Sequence, residues 1–154
     1  MTTPTPVTMK QGTYTFETVD GATGTIEIPG KPDPEVEALR KLVKAPAVTY
    51  LTAKVDNRKG TEYVNMYQVS IYTPAGEELT YTGADEYIND ITPSDAPSET
   101  YNKFIHLGNK LNDGADPLQV KEFVLTGPAL PAEFSGVSMY PTGGYNPVNA
   151  LPKQ

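Results

Sequence analysis

The chain has 154 residues, a length that fits one domain with a modest core. It contains no cysteine, which excludes disulfides, thiolate metal sites and cysteine nucleophiles. A net charge of −7 argues against unspecific binding to a polyanion, because phosphate neutralisation normally supplies that affinity.

Residues 1–11 hold two prolines and four threonines without periodicity and are expected to form an extended arm. Residues 12–28 read as a hairpin, with Tyr14 and Phe16 in phase on one limb, Ile26 and Ile28 on the other, and Asp20-Gly21 as the turn signal. Asp33-Pro34 starts a helix: Asp33 can cap it, and Pro34 supplies a preset φ at the first helical position. Glu35 and Glu37 fall in its first turn and Arg40, Lys41 and Lys44 towards its end, which suits the helix dipole. Val36, Leu39, Leu42 and Val43 form the expected buried stripe, and Pro46 stops the helix.

The longest strand-like run covers residues 48–91. Over 48–56, Leu51, Ala53 and Val55 share one face, which puts Tyr50, Thr52 and Lys54 on the other. After the loop Asn57-Arg58-Lys59-Gly60, a second strand is expected over 62–73 with Tyr67, Val69 and Ile71 in phase. Val64 and Met66 sit in the opposite phase, so either both faces are covered or a bulge near Asn65 shifts the register. Pro74-Ala75-Gly76 turns the chain into a third strand over 78–82, giving an antiparallel meander. Ala84, Tyr87, Ile88 and Ile91 then keep helical spacing.

A third helix is expected over 98–111, with Tyr101, Phe104, Ile105 and Leu111 as its apolar positions and Asn112-Asp113-Gly114 as its end. Strands are expected over 118–126 and 134–140, joined by a stiff Pro-containing linker. Residues 141–154 read as a second extended arm. The organisation is therefore an arm (1–11), one domain (12–140, with a hairpin and helix over 12–46 and a barrel body over 48–140), and an arm (141–154). No run of 18 apolar residues occurs, and the amino terminus lacks the basic and apolar regions of a signal peptide. These features imply a soluble protein of a host cytoplasm or a virion, with no membrane partner.

Catalytic signatures are missing. The single histidine, His106, lies in a helix beside Phe104, Ile105 and Leu107 and reads as a packing or surface residue; there is no phosphate loop, nucleophile elbow or metal-spaced pair. No cofactor and no metal are expected. Charge is unevenly distributed: residues 40–60 carry six basic side chains against one acid, Asp56, and residues 77–100 carry seven acids and no base.

Ten tyrosines and no tryptophan make an unusual aromatic balance, and Tyr50, Tyr63, Tyr67, Tyr72 and Tyr81 fall in the central run. Aromatic side chains beside cations on an exposed sheet face are what stacking of unpaired bases requires. Tyr50, Lys54, Arg58, Lys59, Tyr63 and Tyr67 are accordingly the candidate nucleic-acid-binding residues.

The element order strand, strand, strand, helix, strand, strand over 48–140 resembles the five-stranded OB-fold, a partly open antiparallel barrel. The fold expected is thus mainly β with helices, an OB-like barrel preceded by a hairpin and a helix. The resemblance implies a single-stranded nucleic acid partner, held by Tyr63, Tyr67, Arg58, Lys59 and the loop around Pro128 and Pro131, without enzymatic activity. That last loop carries no basic residue. The Thr- and Pro-rich ends and small size also look like bacteriophage proteins, which gives the alternative: a structural or adaptor protein of a virion whose arms lie along other subunits, with homo-oligomers as one form of assembly.

Overall fold

The computed structural model describes residues 8–141 and 146–153. Eleven strands and three α-helices follow one another as β1 (Met9–Lys10), β2 (Gly12–Glu17), β3 (Thr23–Ile28), α1 (Pro34–Leu42), β4 (Thr49–Asp56), β5 (Gln68–Tyr72), β6 (Glu78–Gly83), α2 (Ala84–Ile91), α3 (Ser98–Leu111), β7 (Val120–Gly127), β8 (Glu133–Phe134), β9 (Gly136–Tyr140), β10 (Val148–Asn149) and β11 (Leu151–Pro152). Nine of the strands form one antiparallel sheet in the order β10-β9-β5-β6-β7-β4-β3-β2-β11. The fold is mainly β, as the sequence implies, but the sheet has nine strands where five were expected.

The two outermost strands, β10 and β11, are consecutive in the chain with only Ala150 between them. One carboxy-terminal segment therefore pairs with β9 through Val148↔Met139 and with β2 through Leu151↔Thr15. This nearly closes the sheet into a barrel and covers edges that would otherwise invite pairing with other chains. Ala150 points inward at 1% exposure. Residues 148–152, expected as part of a free arm, are in fact wall, while residues 142–145 of that arm and residues 1–7 of the other lie outside the described residues.

Alternation along the strands fills the interior. Tyr14, Phe16, Ile26, Ile28, Leu51, Ala53, Val55, Val69, Ile71, Tyr81, Phe123, Leu125, Val137 and Met139 are all buried in one cluster. Met9 and Phe134, brought together by the β1–β8 pair, extend that cluster, with the Phe134 ring 5.8 Å from Tyr14. Val64, Met66 and Ala115 extend it elsewhere. The stretch 62–67 is not strand: Val64, Asn65 and Met66 are buried in succession, and Val64 bridges to Ala115. This resolves the conflicting phases read from the sequence, since a segment packed into the core can bury consecutive residues. It also carries the chain across, so that β4 pairs with β3 and β7 and not with β5; the simple meander expected over 48–82 does not form.

The three helices make a second, smaller core on the outer face of β4 and β7, from Val36, Leu39, Tyr50, Ala84, Ile88, Phe104 and Leu107. Asp33 caps α1 as expected, its carboxylate accepting from the backbone N–H groups of Glu35 and Val36. Leu42, Tyr101 and Ile105, expected among the apolar helix positions, are exposed; Phe104 is buried as expected, and α3 also buries Leu107 and Gly108. In α1 the expected Val36 and Leu39 are the buried pair, and in α3 Gly108 lies against Ile88 and Asn89 of α2.

Candidate functional site

The helices cover only part of the outer sheet face. Where they stop, an open groove of about 870 Å³ crosses β2, β3 and β4, with Thr15, Glu17, Thr23, Thr25, Lys54 and Asp56 along it. Pairing fixes their positions: Leu151, Thr15, Thr25, Lys54 and Glu122 are successive neighbours across five strands, and Glu17, Thr23, Asp56 and Val120 form the adjacent row. Leu151 at one end and Val120 at the other are exposed apolar side chains that also line the groove.

Charge in the groove is balanced. Arg58 donates to Asp56 from Nε at 3.0 Å and from Nη2 at 2.7 Å. That bidentate guanidinium holds the Asp56 carboxyl down at about 2, below the usual carboxylate range. Glu17 and Lys54 make no ion pair or side-chain hydrogen bond among the described residues. The lining therefore presents one free acid, one free base and an internally satisfied pair.

Of the six residues chosen from the sequence, the groove brings together two, Lys54 and Arg58. Lys59 lies exposed in the same loop but not on the lining. Tyr63 packs over Gly114, where an added Cβ would come within 2.4 Å of its ring, and Tyr67 sits beside Tyr140, donating its backbone N–H to that carbonyl. Both are exposed, yet neither reaches the groove. Tyr50 is buried, not outward beside Lys54: α1 and α2 cover that end of β4, and the Tyr50 hydroxyl donates to Glu37 Oε2 at 2.8 Å. Alternation puts Tyr50 on the outer face of the strand, as observed, but does not contain the helices that cover it. Pro128 and Pro131 are absent from the groove.

Thr15, Glu17, Thr25 and Leu151 are among the lining residues that lie outside the six candidates. Alternation did signal the first three, because Tyr14 and Phe16 facing inward turn Thr15 and Glu17 outward. Leu151 gave no signal, since it belongs to a segment too short and Pro-rich to read as strand. Leu118 was expected within a strand; it precedes β7 with φ 79° and is 79% exposed, held by a backbone hydrogen bond from its N–H to the Asn57 carbonyl.

The uneven charge along the chain is partly neutralised locally, since Arg40 is bidentate to Glu37 as Arg58 is to Asp56. None of the seven acids between residues 77 and 100 makes a salt bridge among the described residues. A second, smaller groove of about 510 Å³ between α1 and α3 is lined by Leu39, Leu107, Lys103 and His106, and the Lys110–Glu35 ion pair lies along it. Among the described residues no group of three or more His, Asp or Glu is placed to hold a metal ion, and no helix is long and apolar enough to cross a membrane. No family model, no curated protein and no solved structure matches this chain.

Proposed function

We propose that this is a non-enzymatic interaction protein, a structural or adaptor component that holds a polypeptide segment of another subunit in the groove across β2, β3 and β4. The carrying observation is the balanced lining. A polyphosphate draws its affinity from cations free to neutralise it, whereas here Arg58 is already committed to Asp56, and Glu17 faces the same space as Lys54. Apolar side chains at both ends with hydroxyls between them suit a polypeptide, whose backbone needs partners and whose side chains supply anchors. The nearly closed antiparallel barrel is compatible with an OB-like body serving as a rigid platform, and a virion component is the kind of assembly protein that the Thr- and Pro-rich sequence resembles.

A second reading, single-stranded nucleic acid in the same groove, draws on Lys54 and Arg58 lining it together. One experiment separates the two. The protein and a Thr25→Arg variant, which fills the groove without touching the core, are each presented with a random heptapeptide library and with a thirty-nucleotide single strand at low salt. The polypeptide reading expects peptides enriched on the unmodified protein and lost on the variant, with no retention of the oligonucleotide. Oligonucleotide binding without any groove-dependent peptide would replace it with the second reading.

A further inference from the structure

The groove's geometry points to a sequence pattern in the segment it receives, and we infer that this segment is an extended strand carrying an apolar, a basic, an acidic and a second apolar residue at alternate positions. The inference rests on the polypeptide reading above and sharpens it.

Leu151 and Val120 lie on β11 and β7, with β2, β3 and β4 between them. Four strand spacings of about 4.8 Å, with an offset of one row, put these two apolar side chains roughly 20 Å apart. An extended chain advances about 3.3 Å per residue, so six residues cover that span. Residues i, i+2, i+4 and i+6 of such a chain face the same way, so both ends can meet an apolar anchor at once.

The two middle positions are set by charge. Counting from the Leu151 end, Glu17 is on the first strand crossed and Lys54 on the third. These are the two groove charges that have no ion-pair partner among the described residues. Position i+2, about 6.6 Å along, passes within a side-chain length of Glu17 and calls for a base; position i+4, about 13 Å along, passes between Lys54 and Asp56, and because Asp56 is held by Arg58 it calls for an acid to meet Lys54. The intervening positions point away from the sheet and are free. Thr15, Thr23 and Thr25 form the floor between the anchors, and their hydroxyls can serve the segment's backbone groups.

Because the groove orders the chemistry and not the chain direction, the test uses two synthetic peptides that reversal does not interconvert, Leu-Thr-Lys-Thr-Glu-Thr-Leu and Leu-Thr-Lys-Thr-Lys-Thr-Leu, read by fluorescence anisotropy. The first is expected to bind at least tenfold more tightly than the second, whose extra base meets Lys54, and Lys54→Glu is expected to reverse that preference. Deleting one threonine from the better peptide puts its second leucine on the wrong side and is expected to weaken binding tenfold or more. Equal binding of the two peptides, or a preference unmoved by Lys54→Glu, overturns the inference. If neither peptide binds while library peptides of another pattern are lost on Thr25→Arg, the pattern is wrong and the polypeptide reading stands; if no library peptide depends on the groove, both fall.

Discussion

The Tyr50 hydroxyl donates a 2.8 Å hydrogen bond to Glu37, tying the start of β4 to the first turn of α1. Arg40 grips the same carboxylate from Nε and Nη2, each at 2.9 Å, and its Nη1 reaches the Ala45 carbonyl at 3.1 Å. This network fastens the helical layer to the barrel and removes Tyr50 from any binding surface. Tyr50→Phe keeps the ring packed and deletes only the hydroxyl, so it should cost about 1–2 kcal/mol. Urea denaturation compared with the unmodified protein checks the figure.

Acid should loosen the same network. The Arg40 guanidinium, helped by Tyr50 and opposed by burial, pulls the Glu37 carboxyl from its ordinary 4.5 down to about 2. The folded state therefore holds the charged form more strongly than the unfolded chain does. Its contribution is complete above about pH 4.5 and is lost as pH falls towards 2. Melting temperatures measured across that range should fall less steeply for Glu37→Gln, which starts lower, than for the unmodified protein.

Closure by the carboxy-terminal segment makes a strong demand on Ala150. It is 1% exposed and its N–H donates to the Val137 carbonyl at 3.0 Å. Ala150→Asp would force an unpaired carboxylate into the barrel wall and should cost roughly 3–5 kcal/mol. Removing residues 148–154 should destabilise at least as much by freeing the edges of both β9 and β2. Hydrogen exchange of the amides in those two strands, far faster in either variant, is the readout.

Tyr81 gives the opposite outcome. Its ring is fully buried in the barrel and its hydroxyl has no hydrogen-bond partner among the described residues. Burial alone pushes its pKa up to about 12. Tyr81→Phe should therefore be neutral or stabilising by up to about 1 kcal/mol, since it removes an unsatisfied polar atom and keeps the packing. Above about pH 10 the unfolded chain loses this proton before the folded one does, so the tyrosine protein should lose stability as pH rises towards 12 and the variant should lose less. Phe104→Ala in the helical core, by contrast, should cost about 3–5 kcal/mol through the cavity it leaves.

Local signals were legible wherever chemistry acts over a few residues. The Asp33 cap, the alternation of Tyr14, Phe16, Ile26 and Ile28, and the short helix Ala84–Ile91 all follow from spacing alone. What spacing does not contain is which elements meet. Between residues 57 and 67 the opposite phase of Val64 and Met66 signals an interruption, but not that the segment is buried and carries the chain away from β4. Nothing in Val148–Pro152 announces two edge pairings, since each lasts two residues and draws its stability from the sheet that receives it. The groove was legible only in part for the same reason. Lys54 and Arg58 were found because they are close along β4 and its loop, Tyr50 was lost to helices that dock from elsewhere, and Glu17 and Leu151 join the groove only through long-range pairing.

The most direct measurement is the location of binding. Amide shifts in a two-dimensional NMR spectrum, recorded as the tighter of the two heptapeptides is added, should move at Thr15, Thr23, Thr25, Lys54, Val120 and Leu151, which the folded chain assembles into one groove. Shifts confined instead to Tyr63 and Tyr67, or to Lys103 and His106 between α1 and α3, would contradict the account.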